Sequence, residues 1–289
     1  MEKSINMLRI AIQAKGRLNE ESMNLLQEAG IKLSSVKRTL LIPANDFQAE
    51  LLFLRDDDIP QAVADGVADI GIVGENEFVE KKRDAEIIKR LGFSKCRLSL
   101  AVPKSEEYQN LSWFNGKKIA TSYPVILSEF LKKNAIKADI HTISGSVEIA
   151  PGIGLADAIF DIVSSGSTLI SNQLKEVEIV MHSEALLIGN KSLGKDKKKI
   201  LKDLIFRFEA VQAAEGKKYI LLNAPNAVLP DIFNILPGMR SPTVVPLAQE
   251  GWSSVHAVLE EKRFWEIIGK LKTLGAEGIL VIPIEKMIL

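Results

Sequence analysis

Apolar residues along the chain alternate between short unbroken runs and helical spacing. Leu8-Arg-Ile-Ala-Ile12 is a strand-like run. It breaks at Gly16, and Asn19-Glu-Glu supplies an N-cap with an acidic first turn for a helix that Gly30 closes. The rhythm repeats as a strand at Leu51–Leu54, a helix over Ile59–Asp65 preceded by Asp58 as its cap, a strand at Asp69–Val73 and a polar helix through Lys81. Such alternation predicts an α/β fold with mostly parallel strands. After a strand at Arg97–Val102, the turn-prone Pro103-Lys-Ser-Glu-Glu reads as the crossing to a second lobe. There the pattern gives a strand at Lys118–Thr121, a helix over Pro124–Asn134 with proline in its first turn, and a strand at Ala138–Ile143. The apolar run Val177–Ile188 reads as the return strand or strands to the first lobe.

Lys195–Gly216 has the spacing of a long amphipathic helix, with Ile200, Leu204, Ile205, Phe208 and Val211 on one face. The remaining segments follow the order β-α-β-β-α-β: Lys218–Leu222, Ala227–Leu236, Thr243–Leu247, Ser253–Leu259, Phe264–Leu274 and Ile279–Ile284. This is the ferredoxin-like order. The expected organisation is residues 1–103 with 184–216 as a first lobe, 104–183 as a second, and 217–289 as a separate C-terminal domain.

Composition narrows the function classes. Lys plus Arg and Asp plus Glu both number 37 in the 289 residues, so no overall field draws in a nucleic acid or an anionic membrane. Any anion site must be local. Cys96 is the only cysteine and fits a reducing cytoplasm. No run approaches the ~18 apolar residues of a membrane span. His141, His182 and His256 stand far apart with no second ligand at metal-site spacing, so no protein-built metal site is expected. A Walker phosphate loop and a G-x-S-x-G elbow are absent.

The informative stretch is Gly145-Ser-Val-Glu148 followed by Gly154-Leu-Ala-Asp-Ala-Ile-Phe-Asp161-Ile-Val-Ser-Ser-Gly-Ser-Thr168-Leu169. An acid ends an apolar run, a hydroxyl-rich loop containing Gly166 follows, and then comes a helix signal at Thr168–Leu174. Loop amides and a helix start form an anion pocket. The hydroxyls of Ser164, Ser165, Ser167 and Thr168 add charge-assisted hydrogen bonds to the same phosphate. Asp161, just before the loop, would accept from the vicinal hydroxyls of a ribose whose 5-phosphate lies in that pocket. Taken alone, Ser, Gly and Thr at such a turn are equally the mark of ordinary capping.

The whole stretch resembles the signature of the ATP phosphoribosyltransferase family, with Glu148, Gly154, Ala156, Ile159, Asp161, Ser165, Gly166, Thr168 and Leu169 at matching positions. Lys15-Gly-Arg-Leu18, Arg55-Asp-Asp-Asp-Ile-Pro60, Gly66-Val-Ala-Asp-Ile-Gly-Ile72, Gly74-Glu-Asn76 and Lys118-Ile-Ala-Thr-Ser-Tyr-Pro124 are similar to it too. Ser241-Pro-Thr243 and Leu274-Gly-Ala276 resemble the regulatory domain of its long form.

The resemblance implies an α/β, two-lobed, periplasmic-binding-protein-like catalytic core with a C-terminal ferredoxin-like domain. It implies the first step of histidine biosynthesis, in which N1 of ATP attacks C1 of phosphoribosyl pyrophosphate and pyrophosphate leaves. The adenine nitrogen already carries its lone pair, so no activated nucleophile is needed. Magnesium would arrive with the substrate phosphates and ribose hydroxyls. Matching positions assign the 5-phosphate to Ser164, Ser165, Gly166, Ser167 and Thr168, and the ribose to Asp161 with Glu148 and Asp157. Lys15, Gly16, Arg17, Arg55 and Asn76 fall to ATP or pyrophosphate, with Lys15 and Arg17 catalytic alongside Asp161. Some members have a basic residue within the stretch of Asp56, Asp57 and Asp58, or an acid at Asn76. Histidine as inhibitor is assigned to Ser241, Thr243, Gly275, Ala276 and Gly278, in a homo-oligomer, dimer or hexamer. The rival readings are a two-lobed solute-binding protein and a catalytically silent regulatory relative.

Overall fold

Residues 7–33, 40–236 and 238–289 are described by the computed structural model. The chain forms two compact units, one running to Leu201 and the other comprising Lys202–Leu289 with Glu28–Gly30.

The first unit contains two sheets. One is built from β1 (Leu8–Gln13), β2 (Leu41–Pro43), β3 (Ala49–Leu54), β4 (Ile70–Gly74), β5 (Glu86–Arg90) and β11 (Ala185–Gly189), in the order β2-β3-β1-β4-β11-β5. Helices α1 (Arg17–Glu28), α2 (Ile59–Ala64) and α3 (Glu75–Lys81) link its strands. The other sheet is built from β6 (Cys96–Pro103), β7 (Lys118–Thr121), β8 (Asp139–Thr142), β9 (Ala158–Val163) and β10 (Leu174–Ser183), in the order β10-β6-β9-β7-β8. Helix α4 (Pro124–Lys133) joins β7 to β8, and the single turn α5 (Ser167–Ser171) joins β9 to β10.

The expectation of mostly parallel strands needs correction. Parallel pairing is confined to β3-β1-β4 and β9-β7-β8. Strands β2, β5, β6, β10 and β11 pair antiparallel. The chain crosses between the lobes twice, and β11, the strand that re-enters the first sheet, runs against β4 and β5. The position of the first crossing also changes: β6 belongs to the second sheet, so the chain crosses at residues 91–95 and not at Pro103. Its Leu98, Leu100 and Val102 pack with Phe114, Ile119, Leu127 and Phe160 in the second lobe's core. The apolar run Val177–Ile188 resolves into the end of β10 in one sheet and β11 in the other.

Two predicted caps are not made. Helix α1 begins at Arg17, and Asn19 Nδ2 instead donates to the Gln13 carbonyl at 2.6 Å. Asp58 forms no side-chain cap; the 3-10 turn Asp56–Asp58 runs straight into α2.

The second unit holds the end of α6 (Lys195–Ala214), then β12 (Lys217–Pro225), α7 (Leu229–Ile235), β13 (Thr243–Pro246), β14 (Trp252–Glu260), α8 (Glu261–Thr273) and β15 (Glu277–Pro283). Its sheet has the order β13-β14-β12-β15 with all pairs antiparallel. Leu222, Ala224 and Val255 from the sheet pack with Ile232 and Leu271 from the two helices. This is the ferredoxin-like βαββαβ arrangement.

In the first lobe, Gly71 of β4 lets α2 close onto the sheet. A methyl there would lie 2.6 Å from Ile59 Cγ2 and 3.0 Å from Val63 Cγ2, both in a filled core. Gly71→Ala is therefore expected to destabilise the protein by about 1–3 kcal/mol through overpacking, read as a lower urea midpoint with an unchanged slope.

Candidate functional site

The parallel trio β8-β7-β9 delivers its C-terminal ends to one edge. Ser122 and Tyr123 follow β7, Glu148 follows β8 in the 3-10 turn Val147–Ile149, and Asp161 with the hydroxyl loop closes β9. Asp161 lies opposite Ser99 of β6 and is largely shielded from water. Burial raises its pKa to about 6 against the 2.8 Å hydrogen bond from the Ile162 amide, and the Glu148 carboxylate adds to the rise. The charged form is thus held at a cost that a hydrogen-bond donor from a ligand would relieve.

Beyond Asp161 the loop turns at Gly166, whose φ of 82° is the left-handed conformation that glycine adopts freely. The Ser165 and Ser167 hydroxyls bond each other at 2.9 Å. Among the described residues, the amides of Ser165, Gly166 and Thr168 meet no protein acceptor. Helix α5 is only five residues long, not the helix expected through Leu174, because Gln173 takes φ 57° and Leu174 enters β10. The polar groups this segment presents are therefore loop amides and hydroxyls more than a helix dipole.

A second tier of residues holds this loop, and nothing in the linear pattern marks it. Arg97 of β6 forks onto Glu176 of β10, with Nε to Oε1 at 2.5 Å and Nη2 to Oε2 at 2.6 Å. Its remaining Nη1 donates to the Ser164 carbonyl at 3.1 Å, and Ser99 Oγ donates to Glu176 at 2.6 Å. The guanidinium holds Glu176 below the ordinary carboxylate range. Arg97 thus fixes the first peptide of the loop, a contact that only the antiparallel pairing of β6 with β9 and β10 creates.

The other predicted residues separate into groups. Lys15, Gly16 and Arg17 form the exposed β1–α1 turn, with Gly16 at φ 99° and Arg17 Nε 3.3 Å from Glu21. Glu21, the partner of Arg17, also accepts from Ser94 Oγ just ahead of β6, so this end of α1 lies beside the start of that strand. Arg55 is exposed, 3.5 Å from Asp57. Asn76 is buried and already committed: its Oδ1 accepts from Ser183 Oγ at 2.9 Å and its Nδ2 donates to Tyr123 OH at 3.1 Å, so it offers nothing to a nucleotide in this state. Asp157 is not beside Asp161. It sits at the opposite end of β9, roughly 13 Å away at the rise of an extended strand, and accepts from the Lys118 amide at 2.8 Å.

The expected effector residues do not share a pocket within one chain. Ser241 and Thr243 lie at the β13 edge, while Gly275, Ala276 and Gly278 lie at the β15 edge, with β14 and β12 between them. Gly275, at φ 85°, ends α8 through its 3.0 Å bond to the Lys272 carbonyl. Gly278, at φ 58°, marks the irregularity where β15 meets β12. No group of three or more potential metal-ligating side chains gathers among the described residues, and none of their helices is long and apolar enough to cross a membrane.

A half-buried carboxylate poised over an anion-ready loop at the carboxyl end of parallel strands is the equipment of a pentosyltransferase, which must hold a ribose phosphate while its C1 is exchanged. Residues 55–210 match the family described as HisG, ATP phosphoribosyltransferase, and residues 214–286 match the HisG C-terminal domain. An ATP phosphoribosyltransferase of Bacteroides fragilis is 74% identical over 98% of this chain and 100% of its own length, and one of Cytophaga hutchinsonii is 60% identical over 97% and 98%. Among solved structures, a chain of the ATP phosphoribosyl transferase (HisG:HisZ) complex from Thermotoga maritima is similar with a TM-score of 0.61 at 29% identity, covering 70% of this chain and 99% of that one. The chain belongs to the ATP phosphoribosyltransferase family, and it is an enzyme of histidine biosynthesis.

The raised pKa of Asp161 has a consequence for stability. An acid bound more weakly to its charge in the folded state loses stability as pH rises from the unfolded value near 4 to the folded value of about 6. Asp161→Asn is expected to be more stable than wild type by roughly 1–3 kcal/mol above pH 6, with the difference vanishing near pH 4, as read by thermal melts across that range.

Proposed function

We propose that the Ser164–Thr168 loop holds the 5-phosphate of phosphoribosyl pyrophosphate while Asp161 accepts from the ribose diol. The observation that carries this reading is the combination of loop amides without protein acceptors and a carboxylate whose burial leaves it in want of donors. Arg97 keeps the Ser164 carbonyl turned to itself, which leaves the following amides free for the phosphate. Glu148, close enough for its charge to act on Asp161, completes the ribose side. Lys15 and Arg17 are assigned to pyrophosphate, and Arg55 to the phosphates of ATP. Asp157 and Asn76 are left out of the contact set because their side chains are already engaged elsewhere.

The reaction forms a bond between N1 of adenine and C1 of the ribose, using the nitrogen lone pair. The C1–O bond breaks and its electrons leave with pyrophosphate. Positive charge gathers on the sugar as that bond weakens, and the ionised Asp161 beneath the ring favours it. The chain's contribution is orientation of two bound substrates and fixed charge near the leaving group. Asp161 and Glu148 are hard oxygen donors beside the proposed phosphate subsite, which suits magnesium. Bound there with the substrate's own oxygens, the ion would neutralise the departing pyrophosphate.

The C-terminal unit is assigned to histidine, acting as a feedback inhibitor. Its two candidate edges lie apart in one chain, and the β13 edge of one copy against the β15 edge of another would bring Thr243 and Gly275–Gly278 to one ligand. The working form is assigned as a cytoplasmic homo-oligomer, dimer or hexamer, in which such a contact could form.

Purified chain given ATP, phosphoribosyl pyrophosphate and magnesium, with pyrophosphatase present, is expected to form phosphoribosyl-ATP, followed by absorbance; no product under these conditions contradicts the reading. Asp161→Asn should lower kcat about 10²–10³-fold, the scale of losing one electrostatic contact to developing charge. For wild type, kcat/KM for the sugar donor should fall about tenfold per pH unit below about 6, as Asp161 takes up a proton. A chain ending near Gly216 should keep turnover and lose inhibition by histidine. Retained inhibition would place the effector elsewhere.

A further inference from the structure

The first unit contains a second set of buried polar groups, away from the phosphate loop. It lies where α3, from the first lobe's sheet, packs against the second lobe. Asn76, Glu77 and Glu80 of α3, Ser183 at the end of β10 and Tyr123 at the start of α4 are all buried. The hydrogen bonds of Asn76, Glu77, Tyr123 and Ser183 close on one another. Tyr123 OH donates to Glu77 Oε1 at 2.8 Å and accepts from Asn76 Nδ2 at 3.1 Å. Ser183 Oγ accepts from the Asn76 amide at 3.1 Å and donates back to Asn76 Oδ1 at 2.9 Å.

One turn further along α3, Glu80 spans the lobes with both oxygens. It accepts from the Val125 amide at 2.9 Å and the Ile126 amide at 3.0 Å. These are first-turn amides of α4, which has no side-chain cap of its own, since Tyr123 makes none. A carboxylate from one lobe therefore serves as the missing cap of a helix in the other, where the positive end of the helix favours it. Val79 packs into the second lobe's core beside this contact, and Lys82 pairs with Glu129.

The seam has two properties that matter for a two-substrate reaction. It is shielded from water, and such a network resists partial opening because each separated group would be left buried and unpaired. It also adjoins the site: Tyr123 follows Ser122 directly at the edge that carries Asp161, and the field of Asp161 reaches the tyrosine hydroxyl. The two crossing segments of the chain pass alongside, with Ser183 at the foot of one and Arg90, before the other, bonded to both Glu75 and Glu184.

We propose that Glu77, Glu80 and Tyr123 act as positioning residues, forming a fixed polar seam that sets the angle between the two lobes and so the placement of the sugar phosphate on the second lobe against groups of the first. This rests on the proposed division of substrates, in which the 5-phosphate loop lies in the second lobe and the Lys15–Arg17 turn in the first.

Two variants of the full chain test it, Tyr123→Phe and Glu80→Gln, each nearly isosteric. Hydrogen exchange is read first, because it does not depend on activity. Either change should raise exchange about tenfold or more in both α3 and the first turn of α4, since the network opens as one unit. In kinetics, kcat should fall tenfold or more, while the affinity of phosphoribosyl pyrophosphate alone, measured by calorimetry, stays within threefold. Three results would overturn the proposal: faster exchange confined to the first turn of α4 in Glu80→Gln, kcat within twofold of wild type in both variants, or loss of sugar-donor affinity as large as the loss of kcat. If Tyr123→Phe does not fold, Glu80→Gln decides alone. Wild-type protein without turnover would refute the functional reading, and the exchange result would still decide whether the seam opens as a unit.

Discussion

The site depends on three strands running in the same direction. Because β8, β7 and β9 are parallel, the segments that follow them emerge at one edge, and Glu148, Tyr123 and Asp161 meet there although 38 residues separate the last two in sequence. An antiparallel arrangement would scatter them to opposite ends, and Asp157, which directly precedes β9, lies at the end away from the site. The antiparallel strand β6 then adds what the parallel trio lacks, bringing Arg97 alongside the start of the loop. Direction of pairing thus decides both which groups converge and which groups support them.

A carboxylate in such a place is unstable by design. Burial lifts Asp161 to about 6, and among the described residues no donor beyond the Ile162 amide offsets it. Free amides in the following loop have the complementary need, for acceptors. A ribose phosphate would supply hydroxyl donors to the first and oxygen acceptors to the second, which is the ground for the proposed assignment. The same imbalance costs stability above pH 6, so the folding equilibrium and the chemistry pull in opposite directions at this residue.

The make-up of the loop was legible from local order alone: an acid, a short hydroxyl-rich stretch and the turn glycine Gly166 are adjacent in the chain. The C-terminal βαββαβ order was legible for a similar reason, since turn signals separate each element. Sheet membership was not. Leu98, Leu100 and Val102 form an apolar run that would suit a central strand of either sheet, and only three-dimensional packing with Phe114 and Phe160 assigns β6 to the second. The caps read from Asn19 and Asp58 failed because each helix entry was set by the turn before it, leaving these side chains other partners or none. Arg97 with Glu176, and Glu80 with α4, could not be found in the linear pattern because partners lie 79 and about 45 residues apart. That Thr243 and Gly275–Gly278 occupy opposite edges of the sheet within one chain was hidden for the converse reason: small residues in two turns look alike in sequence whichever edge they occupy.

A crystal structure of the chain with phosphoribosyl pyrophosphate and magnesium tests the central claim most directly. The 5-phosphate is expected on the amides of Ser165, Gly166 and Thr168, with both ribose hydroxyls within hydrogen-bond distance of the Asp161 carboxylate. A sugar phosphate bound elsewhere, with those amides turned onto protein carbonyls, would contradict it.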